Sequence, residues 1–141
     1  MVDLARRLRS LVWSWRMDDL IRLLAVFGWR HPAAESADHV WFDAGFGSGS
    51  CDLYGCNGDA ERIEIAVTAL AADDESGRSD VRAAFERMAA ALIRECGQPS
   101  GQVVDVIPEV WWAGEETALL LTDLSVMVRL CLVTNAWLAE R

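Results

Sequence analysis

The run Gly45-Phe46-Gly47-Ser48-Gly49-Ser50 comes nearest to a chemical signature, because glycines at alternate positions after a strand can turn their N–H groups toward a phosphate. Its context does not complete one. Ser50 stands where the third glycine of a dinucleotide loop belongs, no amphipathic helix begins there, and the lysine and following hydroxyl of a nucleoside-triphosphate loop are missing. Phe46 likewise occupies the place of the first glycine in a nucleophile elbow. Cys51 and Cys56, with His39 twelve residues before the first of them, offer three zinc donors, but the fourth would have to be His31 or a carboxylate. Two reduced thiols are the simpler reading, and Cys96 and Cys131 fall at apolar positions of a helix and a strand.

Acid–base and nucleophilic chemistry is no better supplied. His31 and His39 are the only histidines, and neither is tied to a serine or cysteine by a recognised spacing. Glu64 lies on the solvent-facing parity of its strand, and Glu115 and Glu116 belong to a turn, so neither they nor Glu109 form an evident carboxylate pair. All 13 basic residues are arginines, which excludes Schiff-base, phosphate-loop and Ser-Lys chemistry that needs lysine. No catalytic, cofactor-binding or metal residue is therefore assigned. The rival to a non-enzymatic reading is a small-ligand binder or enzyme built on the glycine-rich loop Gly45 to Gly58.

The elements that must position these residues are organised around Ser79–Gly97. Val81, Phe85, Met88, Ala89, Leu92 and Cys96 recur at spacings of three and four and share one face of a helix, with Arg82, Glu86, Arg87 and Arg94 pointing away. Ser79 and Asp80 suit its start, Gly97 and Pro99 its stop. An earlier helix is read over Met17–Phe27, closed by Gly28, and two turns over Asp3–Leu11. His31–Ala37 reads as a loop opened by Pro32. Alternation then predicts strands near Val40–Ala44 and Ile63–Val67, paired antiparallel across a long loop from Phe46 to Ala60 that has room for a short extra strand at Cys51–Tyr54. Residues 108–112, 117–122 and 126–133 read as a meander, and Asn135–Arg141 as a terminal turn. The expected fold is one α+β domain over residues 1–141. It has a single antiparallel sheet of about five strands, in the order α-β-β-α-β-β-β, with the helices on one face.

A formal charge of −9 argues against nucleic acid as the partner. The longest apolar run, Met88 to Ile93, is far short of the roughly 18 residues of a membrane span. The short apolar stretch after Arg9 is too small for a signal core, which places the protein in the cytoplasm. In the last strands both parities are apolar, so a second face of the sheet needs a cover, from within the chain or from another copy. Neighbours on a strand point to opposite sides, so only one of Trp111 and Trp112 can face the helices. The surface expected to bind a partner carries Trp41, Phe46, Tyr54, Trp111, Trp112, Glu115 and Glu116.

The chain also resembles a family of short actinobacterial proteins of unknown function. The resemblance rests on Trp15-Arg16-Met17-Asp18-Asp19, Phe27-Gly28-Trp29, Gly45-Phe46-Gly47, Gly97-Gln98-Pro99 and Pro108-Glu109-Val110-Trp111-Trp112. It implies caps, turns and aromatic anchors, and no catalytic residues. The order of elements looks like that of small secretion chaperones. The expected function is thus a non-enzymatic, acidic, cytoplasmic protein-binding module without cofactor. It is read as an immunity factor for a toxin or a chaperone for a secreted protein, with a homodimer possible.

Overall fold

The computed structural model describes every residue from Met1 to Arg141. One antiparallel sheet runs through the molecule. Its strands are β1 (Arg30–Ser36), β2 (His39–Asp43), β3 (Cys51–Cys56), β4 (Asp59–Ala66), β5 (Gly101–Val103), β6 (Glu109–Ala113), β7 (Thr117–Asp123) and β8 (Val128–Thr134). They lie side by side in the order β1-β2-β3-β4-β8-β7-β6-β5. The helices are α1 (Val2–Arg9), α2 (Leu20–Phe27), α3 (Glu75–Cys96) and α4 (Asn135–Glu140), with a 3-10 turn at Met17–Asp19 before α2.

Because side chains alternate along a strand, the register sorts them into rows. Two unbroken apolar rows cross six strands on the inner face: Val40, Leu53, Ile63, Leu132, Leu119, Trp112 and Phe42, Cys51, Ile65, Leu130, Leu121, Val110. They form the main core with Ala5 and Leu8 of α1, Leu23 and Leu24 of α2, and Val81, Phe85 and Leu92 of α3. Phe27, Trp29 and Phe42 stack in series, with ring centroids 4.1 and 5.2 Å apart, and so fasten the end of α2 to the sheet.

The stripe read along the central helix is the one that is buried, but the helix starts earlier than Ser79. Asp74 is its cap, accepting from the N–H of Gly77 at 2.7 Å, and a Cβ on Gly77 would lie 1.9 Å from the carbonyl oxygen of Ala72. The acidic turn thus belongs to the helix. Gly97 ends it at φ +86°, and Gly28 ends α2 at φ +71°, both in the left-handed region that glycine tolerates.

The expectation of about five strands is corrected to eight. The segment read as a loop after His31 is β1, an edge strand exposed throughout, where Pro32 need donate no ladder hydrogen bond. Cys51–Cys56, which lay inside the long loop, is a full strand that separates β2 from β4, so those two do not pair. Its Asp and Gly residues obscure an alternation whose buried members are Cys51 and Leu53. Three-residue β5 is too short to show any period.

The outer face is not apolar throughout. Only Ala118, Leu120, Cys131 and Val133 form a second small core there, covered by Trp111 and by Trp137 and Leu138 of α4. Thr134 caps α4 by accepting from the N–H of Trp137, turning the chain back over the sheet it has just completed. The cover for this half comes from within the chain.

Candidate functional site

On β2, β3 and β4 most outward positions are aromatic or charged, and the register fixes who meets whom. His39, Tyr54 and Arg62 are successive members of one cross-strand row. The imidazole lies flat on the phenol ring, with centroids 4.3 Å apart and planes 6° from parallel. The Arg62 guanidinium sits 4.2 Å from the centre of the Tyr54 ring and 5.0 Å from that of Trp137, joining the open strands to α4. The next row holds Trp41, Asp52 and Glu64, followed by Cys131, Leu120 and Trp111.

Charges on this face are paired both across strands and along β4. His39 Nε2 lies 2.8 Å from Asp52 Oδ1 and Nδ1 lies 2.5 Å from Glu35 Oε2. The Asp52 hydrogen bond, supported by Glu35 and opposed by partial burial, raises the imidazole above its ordinary value. Glu64 is buried, contrary to the expectation that it faces solvent, and is held by Arg62 Nη1 at 2.9 Å and Arg129 Nη1 at 3.2 Å. The buried Nε of Arg129 has no hydrogen-bond partner.

A cleft of about 480 Å³ opens on this face between the Gly45–Ser50 loop and the segment after β4. Tyr54, Asp52, Glu64 and Arg129 contribute to its lining, and Phe46 and Leu70 stand at it with 43% and 76% of their surface exposed. The glycine loop offers little to a phosphate, because the Asp43 carboxylate already accepts from the N–H groups of Gly45 and Gly47 at 2.8 and 3.2 Å. Nor is His39 free to act as a base, with both ring nitrogens directed at carboxylates. No group of three His, Cys, Asp or Glu side chains is placed to hold a metal ion. Cys51 faces the inner core, and burial pushes its thiol well above its ordinary value, while Cys56 is exposed at the other end of β3.

The seven residues singled out from the sequence fall into separate places. Phe46 and Tyr54 share the outer cleft, and Trp41 lies on the same face beside the glycine loop. Trp111 is also on the outer face, but it packs over Gly101, whose missing Cβ would lie 2.3 Å from the indole. Trp112 points inward, is 3% exposed, and donates from Nε1 to the carbonyl of Gly97 at 2.9 Å. With Glu115 and Glu116 it lines a second cavity, at the end of the helix layer. Asp52, Glu64, Arg62 and Arg129 were missed as a set. Their outward parity was legible, but their meeting depends on β3 lying between β2 and β4.

Among known protein families, the model of a family of unknown function, DUF6301, matches residues 1–134. The match stops at the last residue of β8, immediately before α4. No curated protein and no solved structure matches the chain.

Proposed function

We propose, for a chain that belongs to the DUF6301 family and takes no assigned activity from it, a non-enzymatic cytoplasmic role in binding another protein through the open half of the outer sheet face. The observation that carries this reading is the cleft itself. Its lining is fixed by Glu64, which pairs with Arg62 along β4 and with Arg129 across to β8, while Phe46 and Leu70 leave apolar surface in water at its margin. Recognition surfaces combine such features: aromatic anchors, a polar surround and a rigid sheet beneath a loop. The residue classes suit a partner that seats an apolar side chain between Phe46 and Leu70 and brings basic groups to an acidic protein of net charge −9. Such a surface suits an immunity factor that masks a basic toxin or a chaperone that holds a secreted chain. No helix of the chain is long and apolar enough to cross a membrane. Pairing with a second copy through the meander is the weaker reading, since α4 lies on the apolar part of that face.

The test is affinity capture of the tagged full chain from its own host, followed by titration of the purified partner. Phe46→Ala combined with Tyr54→Ala should weaken binding by about tenfold or more while leaving the fold intact. A partner held equally well by the double variant contradicts the surface. Enrichment of no protein, with a small molecule raising Tm instead, contradicts the protein-binding role.

A further inference from the structure

A second cavity, of about 500 Å³, lies on the opposite side of the sheet from the cleft, where the Ser10–Trp15 segment passes over the end of the inner apolar row. Its floor is Trp112, Leu119 and Leu132, direct neighbours across β6, β7 and β8. Trp13 and Trp15 line it from above, their ring centroids 5.4 Å apart. The indoles of Trp13 and Trp112 are held in place by N–H bonds to the carbonyls of Asp19 and Gly97, both at 2.9 Å. Trp15 adopts φ +57°, a strained choice for so bulky a residue. Its carbonyl accepts from the N–H of Ala60 at 2.8 Å, and the N–H of Met17 donates to Gly58 at 2.9 Å, which holds the strained turn against the start of β4.

The charges at this cavity favour one kind of guest. Glu115 and Glu116 line it and make no ion pair, and α1 ends at it with Arg9 and Ser10, bringing the negative end of the helix dipole. Arg9 also makes no ion pair and is the one opposing charge. The half-buried Trp15 indole, backed by Trp13, adds an aromatic ring that a cation can approach. We propose that this cavity binds a small organic cation, an ammonium or guanidinium group carried on an apolar body the size of one ring or a short alkyl chain. The apolar body rests on Leu11 and the Trp15 indole, the half-buried apolar groups of the lining, and the two exposed carboxylates stand at its polar end. The volume falls in the range of small-molecule sites. This site is independent of the outer cleft and stands or falls separately from the protein-binding role.

The probe is benzyltrimethylammonium, titrated into the full chain with tryptophan fluorescence and calorimetry as readouts, against the uncharged isostere neopentylbenzene and against phenylacetate. Saturable binding of the cation is expected, with no competition from the other two. Trp15→Gly removes a ring at a position whose backbone glycine tolerates, and should weaken binding about tenfold while the thermal transition stays cooperative. Glu115→Gln with Glu116→Gln, in an exposed turn, should weaken it severalfold and flatten its salt dependence. Absence of saturation at millimolar probe, equal binding of the neutral isostere, or unchanged binding in both variants overturns the proposal.

Discussion

The two halves of the outer sheet face are backed by the same two inner apolar rows and differ in what stands at the outward positions. On β6 to β8 those positions hold Leu120, Cys131 and Val133, and the chain spends its last helix, with Trp137 and Leu138, on covering them. On β2 to β4 they hold His39, Trp41, Asp52, Tyr54, Arg62 and Glu64, and the last helix reaches only as far as Arg62, leaving the rest to ion pairs and stacked rings. A face of apolar residues must be covered for the domain to be soluble. One of satisfied polar and aromatic residues can stay open. The lesson is that one surface is divided into a half the chain covers itself and a polar half it leaves open, the half to which we assign recognition, with Arg62 against both Tyr54 and Trp137 at the border.

The comparison breaks most sharply where inner and open faces are set side by side. Phe42→Ala removes a ring that is fully buried against Trp29 and should cost about 3 to 5 kcal/mol in urea denaturation, whereas Tyr54→Ala on the open half should cost about 1. Equal losses would mean that the open face carries core packing. Next comes Trp137→Ala, expected to cost about 2 kcal/mol by uncovering the small outer core. Burial holds the Cys131 thiol up at about 12, so a thiol reagent should modify exposed Cys56 first and reach Cys131 readily only in this variant. Rapid modification of Cys131 in the unaltered chain would show that α4 does not seal its half.

Glu64→Gln leaves Arg62 and Arg129 without their shared carboxylate and should cost about 1 to 2 kcal/mol, less than for a deep pair because both arginines reach water. The smallest effect is that of His39. Its folded value is raised, chiefly by Asp52, so its ion pairs stabilise the fold fully below the unfolded value of 6.5 and lose that contribution as pH rises through the raised value. Wild type should exceed His39→Gln in stability by the widest margin in mild acid, and the two should converge above neutrality. A margin that grows with pH contradicts the pairing.

Much of this was legible in the residues themselves. The stripe Val81, Phe85, Leu92 and the stops at Gly28 and Gly97 follow from periodicity and from glycine's access to positive φ, and the structure places them as read. The alternation at Val40–Phe42 and Ile63–Ile65 gave the inner face of two strands. What was hidden depended on non-local pairing. β1 is held by register with β2 despite Pro32, β3 by partners on both sides despite Asp52 and Gly55, and β5 by three residues against β6. With Cys51–Tyr54 read only as room for a short extra strand and the flanking strands expected to pair directly, the row His39, Tyr54, Arg62 could not be assembled, and Glu64 looked solvated when two arginines bury it. Phe46 and Tyr54 could be singled out as aromatics, but not as two sides of one cleft.

The division of the outer face is tested most directly by photocross-linking in the native host. A photoreactive phenylalanine analogue is placed at Phe46 on the open half or, as the control, at Ala136 on the exposed side of α4. The account predicts a protein adduct from position 46 and none from position 136. An adduct of equal yield from position 136, or none from position 46, contradicts it.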